Sequence, residues 1–270
     1  MKRLANKFKR YLKLYFYLVK FSVMNVLIYR INSLIMGITP VVWMATSVSL
    51  FVVIFGGAKQ IAGWGFWELT FLLGVHELIY LFSWLTFVNN LMGFTRLVQL
   101  GRFDHILLRP VNHRFFVSFN SIDLSGVLGG IFNTVCLIGL SLIKLNLSFS
   151  PSKFIFFTFG LIISYLVFYF LFFLLSSFCL YWTKTEIFAD WFMEATDFDR
   201  YPAEMYSDWF RFFLFTFLPI LFLAYTPAAI FLGKLPWYYA FFGLLIVVWL
   251  YIISTIIWRK GLRHYQSASS

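Results

Sequence analysis

Six long apolar runs dominate this 270-residue chain, and each can cross a hydrocarbon core of ~30 Å, which takes about 20 helical residues. Only 12% of the residues are charged and 61% are hydrophobic, whereas soluble domains carry roughly 25% charged residues. The runs lack the alternating pattern of barrel strands, so they predict helices. The sequence therefore predicts an all-α integral membrane protein with six transmembrane helices, near residues 31–55, 66–91, 115–143, 154–181, 210–232 and 236–258.

The first 30 residues predict an amphipathic helix that lies in the membrane interface. Apolar side chains recur at helical spacing from Leu4 to Val19, while Lys2, Lys9 and Lys13 gather on the opposite side. The alternative is a basic tail without this role.

The distribution of basic residues predicts the orientation. Of the 22 Lys and Arg residues, all but Lys59, Lys144, Lys153 and Lys234 fall on one side of the predicted helices. Because cytoplasmic loops are enriched in Lys and Arg, both termini are predicted to be cytoplasmic. The net charge of +11 is then explained by topology and contacts with anionic lipid, and no nucleic-acid surface is predicted. Three further regions share this side: a loop at 92–114, a segment at 182–209 and a tail at 259–270.

The segment 182–209 is rich in acidic residues. The first four of its acids lie at helical spacing on one face, opposite Ile187 and Trp191. Two interpretations stay open: an amphipathic helix on the membrane surface, or an acidic contact for a partner. The seven acids are Glu186, Asp190, Glu194, Asp197, Asp199, Glu204 and Asp208.

Catalytic and metal-binding motifs are absent from the sequence. It contains no GxxxxGK[ST] phosphate loop, no HExxH or CxxC pair and no GxSxG elbow. Cys136 and Cys179 lie inside apolar runs and are interpreted as small packing residues. The chain is therefore predicted not to be an enzyme and to hold no metal.

Ionisable residues and prolines inside the apolar runs are candidates for a substrate path, because charge is costly at membrane depth. His76 begins a polar stripe with Ser83 and Asn90, which faces either a substrate path or a neighbouring helix. Small residues at Gly126 and Gly130 favour close helix packing. The path candidates are His76, Glu77, Asp123, Pro219 and Pro227.

Four passages resemble ABC-2-type permeases, the membrane subunits of ABC exporters. The first is "GRFDHILLRPVN" at residues 101–112, and "IAGWGFWELTFLLG" precedes it at 61–74. A Tyr-Pro segment and twin-proline helix follow in "DRYPAEMYSDWFRFFLFTFLPILFLAYTPAAIFLG", and the chain closes on "WRKGLRHYQSASS". The passages occur in the family's order and span nearly the whole chain.

The resemblance implies a type V exporter-like permease in a bacterial cytoplasmic membrane. Such a subunit pairs with an identical or related second permease and with two ATPase subunits, which hold ATP and Mg²⁺. The loop at 92–114 would be the coupling helix that docks on the ATPase, with Gly101 allowing a sharp turn and Pro110 ending the helix. The docking residues would be Gly101, Arg102, Phe103, Asp104, Leu107, Leu108, Arg109 and Pro110. The alternative is that the Arg residues only anchor the loop to anionic headgroups.

Two other functions remain possible from the sequence. A proton-coupled secondary transporter would use Glu77 or Asp123 as its proton site. A membrane-bound lipid-modifying enzyme would depend on Asp104 and His105. The sequence does not identify the cargo.

Overall fold

The computed structural model describes residues 17–24, 26–147, 150–182 and 185–265, and this part of the chain is helical without named strands. The prediction of an all-α protein is confirmed. Most of the predicted N-terminal helix lies outside the described residues, although residues 17–24 and 26–28 are helical. The helices from residue 30 onward are α1 Arg30–Gly57, α2 Phe66–Gln99, α3 Phe103–Leu107, α4 His113–Ser118, α5 Val127–Leu145, α6 Pro151–Ser177, α7 Glu186–Ala195, α8 Asp208–Thr216, α9 Tyr225–Leu232 and α10 Tyr239–His264.

Five helices in the described part of the chain are long and apolar enough to cross a membrane: α1, α2, α5, α6 and α10. Helix α6 lies at the centre, where it packs against α10, α9 and α2, and α2 also packs along α5. Aromatic side chains fill the contact between α2 and α6, as Phe87, Phe168 and Phe172 are fully buried. Helix α1 is mostly exposed and joins the bundle through α5.

The two ends of the bundle can be told apart by their contacts. At one end, here called the Trp64 end, residues 61–64 form a tight turn with Gly63 at φ 81°, a conformation that favours glycine. The Lys234 ammonium reaches across this turn, donating to the Gly63 carbonyl at 2.8 Å and pairing with Glu68 at 2.9 Å. The opposite end, here called the loop end, holds residues 100–112 and the end of α10 at Tyr265.

The predicted helix at 210–232 is corrected to a broken segment. It consists of α8, a single turn at Ile220–Phe222 and α9, and the break between α8 and the turn contains Pro219. Proline has no backbone N–H, so carbonyls near it need other donors. The Ser164 hydroxyl donates to the Phe222 carbonyl at 2.7 Å, and the Thr226 hydroxyl donates to the Leu221 carbonyl at 2.8 Å. Among the described residues, five long apolar helices are therefore found, where the sequence predicted six.

The predicted third helix, at 115–143, also differs from the structure. A short helix, α4, ends at Ser118, and α5 begins only at Val127. Asp123 therefore lies in the irregular link before α5 and not inside a helix.

The sequence predicted that the segment 182–209 stays at one end of the bundle. In the structure it runs from one end to the other. Helix α7 begins at the loop end, where Phe188 contacts Phe178 with ring centres 6.3 Å apart. Further along, Glu204 accepts a hydrogen bond at 3.0 Å from the indole of Trp64 at the opposite end. We call residues 186–206 the crossing segment. It consists of short helical pieces with dispersed acids, so no long apolar run marks it in the sequence.

Glycines set the distance between α1 and α5, which confirms the packing role predicted for the small residues of "GVLGG". A Cβ atom on Gly129 would lie 1.9 Å from the Gly37 carbonyl oxygen, which is far inside van der Waals contact. On Gly130 it would lie 2.7 Å from the Leu81 side chain. The backbones of α1 and α5 approach this closely only because Gly129 has no side chain.

We expect Gly129→Ala to destabilise the protein by about 1–3 kcal/mol, because the added methyl group overpacks a contact made by backbone. Gly139→Ala in the same helix is the matched control, since a Cβ there meets nothing within 4 Å. Thermal unfolding of the detergent-solubilised protein measures both. Equal melting temperatures for the two variants would contradict the close α1–α5 packing.

Candidate functional site

A group of polar side chains is buried halfway along α2, where the segment after α7 crosses it. We call it the central polar cluster: His76 and Tyr80 from α2, and Thr196, Asp199 and Arg200 from the turn at Thr196–Arg200. Tyr80 and Thr196 share a hydrogen bond between their hydroxyls, and the Tyr80 hydroxyl also donates to the Met193 carbonyl at 3.3 Å. These contacts fix the crossing segment against α2.

His76 lies between a cation and an anion. The Arg200 Nε–H donates to Nε2 of His76 at 3.2 Å. A neutral imidazole that accepts at Nε2 carries its proton on Nδ1. That proton faces Oδ2 of Asp199, which lies 3.7 Å from Nδ1. The His76 side chain therefore links the guanidinium to the carboxylate.

Asp199 is a fully buried carboxyl group with only one oxygen satisfied. Oδ1 accepts from the Tyr225 backbone N–H at 3.0 Å, whereas Oδ2 has no hydrogen-bond partner in the described structure. Arg200 also pairs with Asp197 at 3.1 Å. A buried ionisable group needs a polar partner nearby, and the group that faces Oδ2 of Asp199 is the His76 imidazole, which Arg200 contacts on its other side.

Glu77 faces a different direction from its neighbour His76. Its carboxylate accepts from the Asn133 side chain at 3.4 Å, and the same amide donates to the Pro40 carbonyl at 2.7 Å. Glu77 and Asn133 thus join α2, α5 and α1. The predicted polar stripe on α2 does not act as one group either. Asn90 bonds to Ser121 and lies far along α2 from His76. Contacts between helices account for these residues.

The remaining path candidates lie apart from the central polar cluster. Asp123 accepts hydrogen bonds from Asn89 and from the Ser125 backbone N–H, the latter at 2.9 Å. Pro227 packs on Gly160 of α6, and Pro219 marks the break before Ile220. The structure does not bring the five predicted path residues together.

A second polar group closes the Trp64 end. The Glu204 carboxylate accepts from the Trp64 indole at 3.0 Å and from the Tyr225 hydroxyl at 2.7 Å. The Lys234 ammonium lies over the Trp64 ring, 4.9 Å from its centre. The crossing segment is therefore held at its middle by His76 and at its far end by Trp64.

At the loop end, α3 has the short helical form that the sequence predicted. Gly101 adopts φ 67°, a left-handed conformation that turns the chain sharply out of α2. The helix ends at Leu107, before Pro110. Asn112 then caps α4 by accepting from the Phe115 backbone N–H at 3.2 Å.

Phe103 was predicted to be a docking residue, and the structure corrects this prediction because its side chain does not reach the surface. Its ring is fully buried, with ring centres 5.2 Å from Phe94, 6.2 Å from Trp258 and 5.2 Å from Tyr265. Leu107 is half-buried, whereas Leu108 is 83% exposed. The exposed surface of the loop consists of Arg102, His105, Leu108, Arg109 and Pro110.

Asp104 lies on the inward side of α3. Burial, together with the neighbouring Asp104 carboxylate, raises the pKa of the Tyr265 hydroxyl to about 12. Tyr265 is therefore a neutral phenol at physiological pH. Asp104 thus contributes to the attachment of the loop as well as to its charge.

Comparison with known proteins assigns the chain to a family. A family model described as "ABC-2 family transporter protein" matches residues 41–269. The chain belongs to the ABC-2 transporter family. No curated protein and no solved structure matches it.

Sequence reasoning missed the partners of His76 in this ABC-2 family protein. Asp199 and Arg200 lie more than 120 residues away, in a segment whose acids pointed to a solvated surface. The one signal was an arginine within an acid-rich stretch beside a Tyr-Pro turn. Such a signal does not identify a contact with α2.

We expect Arg200→Ala to destabilise the protein by about 1–3 kcal/mol, because it leaves Nε2 of the buried His76 without its hydrogen-bond donor. Arg211→Ala is the matched control, since Arg211 pairs with the exposed Asp208, and an exposed pair contributes about 0–1 kcal/mol. Titration of the solubilised protein with a denaturing detergent compares the two. A similar loss in both variants would show that the central polar cluster does not hold the fold.

Proposed function

We propose that this chain is the permease subunit of an ABC exporter, and that separate ATPase subunits dock on the loop at 101–110 and move it. The family assignment and the long apolar helices support a membrane permease. The observation that carries the docking role is the two-sided form of α3. Its inner side is fixed to the bundle by Phe103, while Arg102, Leu108 and Arg109 project from the outer side.

This form suits a surface that transmits force. The exposed Leu108 together with Arg102 and Arg109 offers a partner both an apolar and a cationic contact. A buried anchor beneath it would pass a displacement of the partner to α2 and α10. ATP and Mg²⁺ would bind in the ATPase subunits.

We further propose six membrane crossings with both termini in the cytoplasm, as in type V exporters. The five long helices provide five of the six crossings. Residues 186–206 provide the remaining one, which lies between α6 and α10 in the chain. The exposed Arg96, Arg102, Arg109, Arg259 and Arg263 at the loop end support a cytoplasmic location for that end. Residues 208–232 would then fold back into the bundle from the outer side.

The exposed face of α7 supports a translocation path beside the crossing segment. Asp190 and Glu194 are exposed there, and no ion-pair partner for either lies among the described residues. Trp191, 74% exposed, lies between them. Unpaired carboxylates are too costly to face lipid. We propose that this face meets water and a second permease, identical or related, and that cargo passes there.

The central polar cluster favours one competing function, a proton-coupled secondary transporter. Ionisable groups at membrane depth are common in proton relays. Its test is the purified chain alone in vesicles, because transport that follows a proton gradient without ATPase subunits would replace the exporter proposal.

Charge reversal on the loop tests the docking role. We expect the double variant Arg102→Glu and Arg109→Glu to reduce the recovery of ATPase with the tagged permease by about tenfold or more, because apposed like charges cost several kcal/mol. Lys59→Glu is the control, as Lys59 is exposed near the Trp64 end. Equal recovery from the double variant and the control would reject docking at this loop.

A further inference from the structure

Arg114 connects the loop to the last long helix. It lies in α4, just after the proposed docking surface, and its guanidinium donates to Ser254 Oγ at 3.0 Å and to Thr255 Oγ1 at 2.8 Å. Both hydroxyls belong to α10. The contact spans about 140 residues of sequence, so it joins elements that the chain itself does not connect.

Aromatic rings surround the same guanidinium. Its Cζ atom lies 4.2 Å from the ring centre of Phe173, 5.3 Å from that of Phe170 and 5.6 Å from that of Tyr251. No carboxylate among the described residues lies within 4 Å of it. The cation is held by ring faces and two hydroxyls, a geometry that suits the planar fork of arginine better than the ammonium of lysine.

A second attachment lies one helical turn further along α10. Trp258 follows Ser254 by four residues and therefore shares its face of the helix. Its ring contacts both Phe94 of α2 and Phe103 of α3. The loop is thus tied to α10 at two successive levels, by Arg114 and by Phe103.

The two attachments differ in the helices that they join. Phe103 packs on Phe94 of α2 as well as on Trp258 of α10, so a displacement passed through it moves both helices together. The hydrogen bonds of Arg114 reach α10 and not α2. The Ser254 hydroxyl also donates to the Tyr251 carbonyl at 3.1 Å, which fixes the position of its oxygen. Arg114 therefore holds α4 in register with α10, and a displacement of α4 is passed to α10.

We propose that Arg114 is the positioning residue that transmits movement of the docking loop to α10, so that α10 moves relative to α2 when the ATPases bind nucleotide. This inference rests on the proposed function. It adds a route to α10 that is separate from the Phe103 contact. Arg114 acts through α10 and has no role in gripping the ATPase.

The test measures α10 directly, in the complex of permease and ATPases. Spin labels are placed at Arg96→Cys on α2 and Lys260→Cys on α10, both exposed, after replacement of Cys136 and Cys179. The distance between the labels is measured without nucleotide and with ATP plus vanadate. We expect a nucleotide-dependent shift in the otherwise unaltered protein, and loss of that shift in Arg114→Lys.

A second variant removes the acceptors and leaves the loop unchanged. Ser254→Ala with Thr255→Val should lose the shift as Arg114→Lys does, while Arg263→Lys, an exposed arginine near the end of α10, should keep it. All three variants should recover the usual amount of ATPase.

Three results would overturn the inference. They are a shift that persists in both variants, the absence of a shift in the unaltered complex, and a fall in ATPase recovery that accompanies the loss of the shift. The docking proposal fails through a different result, unchanged recovery after charge reversal at Arg102 and Arg109.

Discussion

The cost of an unpaired charge in an apolar bundle governs this structure. A buried ion without a partner destabilises a protein strongly, so each ionisable side chain at depth must meet another polar group. Asp199 meets this requirement through the Tyr225 backbone N–H and the nearby His76 imidazole, and Glu77 meets it through Asn133. The crossing segment is therefore held in place by polar contacts, although its own helices are short.

Charge is concentrated at the loop end, where its role differs. Arg102 and Arg109 project outward, while Arg114 turns inward to the hydroxyls of α10. Three arginines within thirteen residues thus have separate positions, two on the proposed docking surface and one in the contact with α10 behind it. The aromatic contacts of Phe103 make the loop part of the bundle instead of a flexible connection. A loop attached in this way transmits a force instead of absorbing it.

The sequence predicted the helical class, the short helix after Gly101 and the close packing near Gly129, because hydropathy, glycine and proline act locally. It did not predict that residues 186–206 run from one end of the bundle to the other. Hydropathy detects long apolar runs, and this segment is interrupted by Pro202 and by acids. The partners of two of these acids, Asp199 and Glu204, are His76 on α2 and Trp64. The burial of Phe103 was also missed, since a short loop helix gives no pattern that separates its inner side from its outer side. Contacts between distant residues decided both features.

The path of the crossing segment is the central claim, because the orientation of the loop and the acidic face of α7 both depend on it. Cysteine labelling in intact cells tests it, with Cys136 and Cys179 replaced. A membrane-impermeant maleimide should label Asp208→Cys from outside, and should label Lys260→Cys only after the membrane is permeabilised. Protection of Asp208→Cys in intact cells, with labelling after permeabilisation, would place residues 182–209 on the cytoplasmic side and contradict the account.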